Sequence, residues 1–217
     1  MNRRYAMGLM GAAAVTAGAY TLFPGQNQLP DLVGMAHAQD ADLSGIVEMT
    51  MGSEDAPVTL MEYASFTCPH CATFHNNVLG KIKAEYVDTG KVKFVYRDVY
   101  FDRPGLWAAM MARCEPTKFF GIADMLYAEQ KSWIGGGNLS EIDQNLRRIG
   151  LVAGIGKEEL DACMSDAENA QALYTWFQQN MESDDVSSTP TLFVDGKKYS
   201  NMSYTDLKAI LDERLGM

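Results

Sequence analysis

Two cysteines that enclose a proline and a histidine, Cys68-Pro69-His70-Cys71, are the residues of this sequence best suited to redox chemistry. Proline at the first position of a helix loses no hydrogen bond, so the motif predicts a helix that begins at about Cys68. The unpaired N–H groups and the dipole at that end favour a thiolate at Cys68, and His70 can add a hydrogen bond or a positive charge. Cys71 is expected to be better shielded and to act as the resolving thiol.

The motif lies between two predicted strands. Residues 58–63 have the apolar content and length of a strand, and residues 91–96 alternate between polar and apolar with a period of two. The helix between them is expected to end before Gly90. Strand, helix and strand in this order form a βαβ unit, which predicts that the two strands are parallel. In that setting a CxxC motif indicates redox catalysis more strongly than a zinc site or a structural disulfide.

Helical patterns occupy the chain from Pro104 to about Asp185, and no strand pattern interrupts them. The predicted helices cover residues 105–114, 116–133, 140–149, 157–164 and 167–182. This stretch separates the βαβ unit from the last part of the chain. We therefore expect a helical insertion within an α/β fold.

After the helical stretch, strands are predicted at residues 190–194 and 197–199. They flank Asp195-Gly196, a dipeptide that favours the type I′ turn of a β-hairpin. Ser203 is expected to cap a closing helix that ends at about Leu215. The last 30 or so residues therefore predict a hairpin followed by a helix.

Two segments resemble the DsbA-type thiol:disulfide oxidoreductases of the thioredoxin superfamily, namely Glu62 to Cys71 (EYASFTCPHC) and Thr189 to Gly196 (TPTLFVDG). The resemblance extends over essentially all of the chain after residue 38, including the helical insertion, and is strongest to alphaproteobacterial members. It implies a thioredoxin-like α/β fold with an inserted helical domain. The corresponding division is a thioredoxin-like domain in two parts, 39–102 and 187–217, with the insertion at 103–186.

The resemblance also implies roles for individual residues. Cys68 is the nucleophile, Cys71 is the resolving thiol, and a cis peptide bond precedes Pro190. In that family the cis-proline loop packs beside the active disulfide and holds an extended substrate backbone, so Thr189 and Pro190 are expected to bind substrate. Thr189 replaces the aliphatic residue of the best-known oxidases, a departure that bears on redox tuning. We also expect Phe66 to be exposed near the site and to contact substrate.

Two further residues near the motif allow more than one interpretation. Glu62 could be an ordinary carboxylate at a strand end, or, as the resemblance implies, a partly buried proton acceptor near Cys71. His75 lies four residues after Cys71 and could complete a metal site with Cys68 and Cys71. No fourth ligand accompanies them, so we interpret His75 as a residue of the helix surface and predict no metal.

Cys114 and Cys163 both lie in the helical insertion. They could be two buried free thiols, which behave as small apolar side chains. Export to an oxidising compartment favours a structural disulfide instead. The resemblance points the same way, because several alphaproteobacterial members carry a second disulfide in the helical domain.

The first 38 residues predict a signal peptide. Arg3 and Arg4 form a basic segment, an uncharged run extends from Tyr5 to Phe23, and Ala36-His37-Ala38 has the small residues that a signal peptidase requires. The run is nearly long enough to span a bilayer, so an uncleaved amino-terminal anchor is the alternative. In both cases we expect the rest of the protein in the periplasm.

Composition narrows the class of protein further. The formal net charge is −10, whereas a surface that binds nucleic acid needs positive charge. Hydrophobic residues make up 47% of the chain and charged residues 21%, values that exclude a disordered or collagen-like chain. The length fits one domain with an insertion. No cofactor-binding motif occurs in the sequence.

The leading hypothesis is a monomeric periplasmic oxidase that donates its Cys68–Cys71 disulfide to unfolded exported proteins through a mixed disulfide at Cys68. The resemblance implies reoxidation by a membrane quinone-linked partner of the DsbB type. One alternative is a disulfide reductase or isomerase. Isomerases of this superfamily carry a separate dimerisation domain, for which residues 39–56 are too few. The other is a metal-binding or chaperone-like module that uses Cys68, Cys71 and His75.

Overall fold

A computed structural model describes residues 41–217, and the predicted signal segment lies outside this range. The described chain contains a five-stranded sheet in the spatial order β1-β3-β2-β4-β5. Its strands are β1 (Met49–Met51), β2 (Val58–Ala64), β3 (Val92–Asp98), β4 (Thr191–Val194) and β5 (Lys197–Ser200). Strands β2 and β3 are parallel, as the βαβ pattern predicts, and the other neighbours are antiparallel. The active-site motif follows β2, the central strand of the sheet.

Strand β1 was not predicted from the sequence. It has three residues and pairs with the edge of β3, with Met49 opposite Tyr96. Three residues are too few to establish a period of two, so no pattern marks such a strand. The other four strands occur in the predicted order, and the insertion helices lie between β3 and β4.

The helix after β2, which we name α1, runs without interruption over residues 69–87. It alternates α-helical segments, Pro69–Phe74 and Gly80–Ile82, with π-helical segments, His75–Leu79 and Lys83–Val87. A π turn widens the helix and is frequently found at functional sites. The first of these wider turns begins at His75, one turn after Cys71.

The remaining helices of the described chain form the insertion and the carboxyl-terminal element. They are α2 (Arg103–Arg113), a 3₁₀ turn (Pro116–Lys118), α3 (Phe119–Ala128), α4 (Gln130–Ile134), α5 (Leu139–Val152), α6 (Lys157–Met164), α7 (Ala167–Ser183) and α8 (Tyr204–Leu215). The single helix predicted over 116–133 is therefore divided, with a break between α3 and α4 at Glu129. This break matters for the site because it sets the direction of Gln130.

Helix α2 is the centre of the insertion. Every residue from Gly105 to Arg113 is buried, and α2 contacts α3, α5, α6 and α7. Arg113 forms a buried ion pair with Asp98 at the end of β3, which ties the insertion to the sheet. A disulfide joins Cys114, just after α2, to Cys163 in α6. The sequence interpretation of two free thiols therefore does not apply.

The β4–β5 hairpin has the predicted turn. Asp195 and Gly196 have φ values of 48° and 79°, and a type I′ turn requires positive φ at both central positions. The Asp195 carboxylate also accepts a hydrogen bond from the backbone N–H of Thr59 in β2, at 2.9 Å. The turn thus fixes the register of β4 beside β2, and with it the position of the loop that precedes β4.

Within residues 41–217, no helix is long and apolar enough to cross a membrane.

Candidate active site

Cys68 caps the amino terminus of α1. Its backbone is extended, and its sulfur accepts a hydrogen bond from the backbone N–H of Cys71, with an N–S distance of 3.4 Å. Pro69 occupies the first helical position, where the missing N–H removes no bond. The geometry at the motif is therefore the one that the sequence predicts, with the first sulfur at the helix end.

The environment of Cys68 favours its thiolate. The largest effect on the pKa of Cys68 is the hydrogen bond from the Cys71 thiol, which lowers it. Hydrogen bonds from the Thr189 side chain and from the backbone N–H groups of Cys71 and His70 lower it further, whereas burial raises it. The resulting pKa is about 5, compared with an ordinary value of 9.0. At neutral pH the free thiol is thus a thiolate, the form that attacks disulfides.

Cys71 has the opposite character. Its side chain is fully buried, and both cysteines of the motif are free thiols. Burial raises the pKa of Cys71 well above its ordinary value, and the hydrogen bond to Cys68 and the nearby charge of Glu62 raise it further. The two thiols therefore differ in charge at neutral pH, where Cys68 is ionised and Cys71 is protonated.

The loop before β4 lies against Cys68. The Thr189–Pro190 peptide bond is cis, and the Cys68 thiol donates a hydrogen bond to the Thr189 carbonyl oxygen at 3.5 Å. Pro190 is buried and Thr189 half-buried, whereas Pro69 and His70 are exposed at the mouth of the site. Chain segments 121 residues apart in sequence therefore meet at one sulfur.

Gln130, which the sequence analysis did not select, holds the loop before α1. Its side-chain amide donates hydrogen bonds to the backbone carbonyls of Phe66, at 2.8 Å, and Cys68, at 3.0 Å. The start of α2 also lies against this loop, since a Cβ added to Gly105 would come within 3.5 Å of the Ser65 and Thr67 side-chain oxygens. The helical insertion thus positions the motif directly. No sequence feature marks Gln130, because it lies inside the single helix predicted over residues 116–133, and the break at Glu129 is visible only in the structure.

The expectation that Phe66 is exposed near the site is wrong. Its side chain is only 1% exposed. It stacks on Tyr96 of β3 and packs at a tilt against Tyr127 of α3, with ring centroids 5.6 and 5.1 Å apart. These rings bury the aromatic side chain between the sheet and the insertion, and such contacts outweigh its position beside the motif. Phe66 therefore joins two parts of the core and has no free face for substrate.

The assignment of His75 to the helix surface is also wrong. His75 lies one turn after the buried Cys71 on the helix face toward the sheet, where Glu62 offers a polar partner. The Nε2 of His75 and the Oε2 of Glu62 are 2.9 Å apart. Glu62 is fully buried and is not an ordinary strand-end carboxylate. Its charge reaches Cys71, as the higher pKa of that thiol indicates.

The three-ligand metal site considered from the sequence is not formed. His75 directs its Nε2 to Glu62 rather than toward Cys68 and Cys71. In the part of the chain that the structure describes, no group of three or more His, Cys, Asp or Glu side chains is arranged to hold a metal ion. What the arrangement offers chemically is a thiolate at Cys68, a protonated Cys71 thiol hydrogen-bonded to it, and the buried carboxyl group of Glu62.

Comparison with known proteins shows which family and which relatives this chain resembles. A family model described as Thioredoxin matches residues 45–213. A relative in Rickettsia bellii, provisionally named a protein-disulfide oxidoreductase, is 29% identical over 77% of this chain and 64% of its own length. Disulfide bond formation protein D of Bacillus subtilis is 28% identical over 76% of each chain. This chain thus spans less than two thirds of the length of the Rickettsia relatives.

The crystal structure of Wolbachia pipientis alpha-DsbA1 superposes with a TM-score of 0.73 at 26% identity, covering 78% of this chain and 91% of that one. The crystal structure of BdbD from Bacillus subtilis shares the fold, with a TM-score of 0.65 at 21% identity and coverage of 87% and 97%. Both the inserted helices and the sheet are included in matches of this extent. The chain therefore belongs to the thioredoxin family, with the DsbA-type architecture of a thioredoxin-like fold that carries a helical insertion.

Proposed function

We propose that this protein is a thiol:disulfide oxidoreductase that donates a Cys68–Cys71 disulfide to exported protein substrates. The observation that carries the proposal is the asymmetry of the two thiols, with Cys68 at a helix amino terminus and a pKa of about 5, beside a fully buried Cys71. A thiolate that is this stable is a good leaving group, so it favours transfer of the disulfide to substrate.

The reaction proceeds in two exchanges. In the first, a substrate thiolate attacks the Cys68 sulfur of the oxidised protein, the Cys68–Cys71 bond breaks, and Cys71 leaves and takes up a proton. In the second, another substrate thiolate attacks the substrate sulfur of this mixed disulfide, and Cys68 leaves as a thiolate. The substrate has then gained one disulfide, and two electrons have passed to the protein.

The cis-proline loop serves as the substrate-binding element. The Thr189 carbonyl faces the Cys68 sulfur, and Pro190 removes an N–H at the point where a substrate backbone would approach. Pro69 and His70 form the exposed rim on the other side of the sulfur. An extended peptide that carries the reacting cysteine fits between these two edges.

The compartment and partners follow from the chemistry. Disulfide donation is sustained only where the surroundings are oxidising, so we place the protein in the periplasm, exported by its first 38 residues. Reoxidation removes two electrons from Cys68 and Cys71, and a membrane quinone-linked partner of the DsbB type would accept them. The substrates are unfolded exported chains, and the protein acts as a monomer.

A peptide assay tests the proposal. The oxidised protein is mixed with a reduced peptide that contains two cysteines, and formation of the peptide disulfide is followed by mass spectrometry. We expect stoichiometric oxidation by the wild type and none by Cys68→Ala or Cys71→Ala, because neither variant can form the disulfide that accepts the two electrons of the peptide. The matched control is the double variant Cys114→Ala/Cys163→Ala, which removes the other cysteine pair and should still oxidise the peptide.

A titration against glutathione separates the oxidase from the reductase. The lowered pKa of Cys68 predicts a couple more oxidising than the cytosolic glutathione poise of about −220 to −320 mV. A potential at or below that range, or peptide oxidation that survives Cys68→Ala, would contradict the proposal.

A further inference from the structure

A groove of about 470 Å³ begins at Pro69, next to the reactive sulfur. One wall is the face of α1 from Pro69 to Asn77, and the other is the junction of α3 and α4, residues 127–132. The residues that line it come from these two segments and not from the cis-proline loop at Thr189 and Pro190. The groove therefore leads away from Cys68 along a path that the loop does not cover.

The groove follows α1 for about two turns. Pro69 and Asn77 are eight positions apart, which corresponds to about 12 Å along a helix axis at about 1.5 Å per residue. An extended polypeptide covers this distance with about three to four residues, since each adds about 3.3 Å. The groove thus has the length of the chain segment that adjoins a reacting cysteine.

The lining carries groups that can bind a main chain. Gln130 is buried in the groove, and its amide nitrogen donates to two carbonyls of the active-site loop, so its oxygen is the atom left for a ligand. Asn76 donates from its amide nitrogen to the Tyr127 carbonyl at 3.3 Å, which also leaves the amide oxygen. Asn77 is exposed and can both donate and accept. These groups suit the N–H and C=O groups of an extended peptide.

The rim of the groove carries a free cation. Among the lysines of residues 41–217, Lys131 is the only one whose ammonium group has no ion-pair, hydrogen-bond or aromatic partner. Glu129, the acidic residue of the lining, is already paired with Arg148 at 2.7 Å. The rim is therefore locally positive in a chain whose formal net charge is −10, and a positive rim attracts acidic ligands.

We propose that this groove binds the three to four substrate residues on one side of the reacting cysteine, and that Lys131 gives it a preference for acidic segments. The occupant is an extended polypeptide because the groove begins beside the sulfur to which the substrate bonds and continues for the length of such a segment. The cis-proline loop contacts the segment on the other side of the same cysteine. The proposal rests on the proposed function, in which Cys68 forms a mixed disulfide with an exported chain.

Formation of that mixed disulfide can be measured with peptides whose single cysteine is joined to 2-nitro-5-thiobenzoate. In the Cys71→Ala variant, the Cys68 thiolate attacks the peptide sulfur, the bond between the two sulfurs forms, and the coloured aromatic thiolate leaves. Absorbance at increasing peptide concentration separates the half-saturating concentration from the rate at saturation. The peptides carry no flank, an acidic flank Glu-Ser-Glu or a basic flank Lys-Ser-Lys, placed before or after the cysteine.

On one side of the cysteine, we expect the acidic flank to have a half-saturating concentration about fivefold lower than the basic flank, the upper range for an exposed ion pair. The rate at saturation should be similar. Lys131→Glu should reverse the order of the two flanks. The matched control Lys197→Glu makes the same change of charge beyond the start of β2, whereas the active-site motif follows its end. It should keep the wild-type ratio within about twofold, because salt screens charges more than about 8 Å apart.

A second variant tests the groove without changing charge. Ser132 is exposed in the lining, and Ser132→Trp should cover the groove and abolish the difference between the flanks. A flank preference that survives Lys131→Glu or Ser132→Trp would overturn the inference, and so would an equal response to flanks on both sides of the cysteine. A wild type that oxidises no peptide would reject the proposed function but leave these rates readable, so the two failures are distinguishable.

Discussion

The protein contains two cysteine pairs, and they differ in nearly every property except residue type. Cys68 and Cys71 are free thiols three positions apart at the start of one helix, next to a loop from a distant part of the chain. Cys114 and Cys163 are 49 positions apart and joined by a disulfide between α2 and α6. The first pair is placed for exchange, and the second connects two helices of the insertion.

The difference lies in what surrounds each sulfur. A helix amino terminus, a neighbouring thiol and the Thr189 side chain stabilise a negative charge on Cys68. Cys114 and Cys163 lie at or near the carboxyl-terminal ends of their helices, where no unpaired N–H groups are available to stabilise a thiolate. The reactivity of Cys68 therefore depends on the hydrogen-bond donors around its sulfur, first the Cys71 thiol and then the N–H groups of the helix end.

Removing the Cys114–Cys163 disulfide is expected to have the largest effect on stability. Replacing both cysteines by alanine opens a loop of 49 positions, which the chain-entropy model relates to a loss of up to about 4 kcal/mol. Denaturant melts of the double variant and the wild type, both with Cys68 and Cys71 reduced, measure the difference. Peptide oxidation at low temperature should persist.

That result separates the two pairs by function. A double variant that folds with unchanged stability would show that the bridge is dispensable to the fold. A double variant that stays folded but no longer oxidises the peptide would show that the insertion disulfide takes part in exchange. Either outcome would contradict the assignment of exchange to Cys68 and Cys71 and of a structural role to Cys114 and Cys163.

The second prediction concerns the relative stability of the reduced and oxidised active site. Cys68 has a folded pKa of about 5 and an ordinary value of 9.0, so its thiolate stabilises the folded reduced protein by up to about 2.7 kcal/mol at pH 7. Solvent at the mouth of the site makes this an upper value. The oxidised protein has no such thiolate, and we expect the reduced form to be more stable.

The pH dependence has a definite sign. Because the folded pKa is depressed, the contribution is complete above pH 9 and disappears as the pH falls through 5. Melts of both forms at pH 7 and pH 3.5, with Cys114–Cys163 intact, should show the advantage of the reduced form shrinking by about 2.7 kcal/mol. An advantage that grows in acid would contradict the assignment of the thiolate to Cys68.

Much of the fold is visible in the sequence because local rules determine it. The start of α1 at Pro69, the parallel β2–β3 pair and the turn at Asp195-Gly196 each depend on residues that are close in sequence or on a handedness rule. Strand β1 is too short for such a rule. The π turns of α1 depend on how the helix packs against the sheet, which no periodicity in the sequence encodes.

The residues of the site also fall into two groups, those that local sequence rules predict and those that depend on contacts with distant residues. Cys68 and Cys71 follow from their spacing, whereas Phe66, His75 and Gln130 depend on contacts between the sheet and the insertion. Phe66 was expected outside and is inside, because rings 30 and 61 positions away cover it. His75 was expected at the surface and is buried against Glu62. A single sequence gives no direct information on which distant residues meet.

Replacing Gln130 should have the third largest effect. Gln130→Leu removes the N–H donors that hold the Phe66 and Cys68 carbonyls, at a cost of about 2 kcal/mol for buried groups that lose a partner. The control Gln178→Leu, at an exposed position of α7, should change stability by less than about 0.5 kcal/mol. Denaturant melts measure both. Equal stability of the two variants would show that the insertion does not hold the active-site loop.

The smallest effect is expected at Thr189, where the cis-proline loop meets the reactive sulfur. The Thr189 side chain lowers the pKa of Cys68 by hydrogen bonding, and its hydroxyl is buried with no other partner among residues 41–217. Thr189→Val keeps the size of the side chain and removes the hydroxyl, so the pKa of Cys68 should rise by up to about one unit, equivalent to about 1.4 kcal/mol. The couple should become less oxidising by up to about 30 mV.

Thr191→Val is the matched control for this change. The Thr191 hydroxyl donates to the Ser188 carbonyl at 2.7 Å in the same loop. Its loss should lower stability, since the hydrogen bond that joins the buried Thr191 to the loop is removed, but should leave the titration of Cys68 in place. Thiolate absorbance against pH for both variants decides the point. If Cys68 has the same pKa in Thr189→Val as in the wild type, the Thr189 hydroxyl does not stabilise the thiolate. The loop then positions substrate only, and the low pKa of Cys68 arises from the helix end and Cys71 alone.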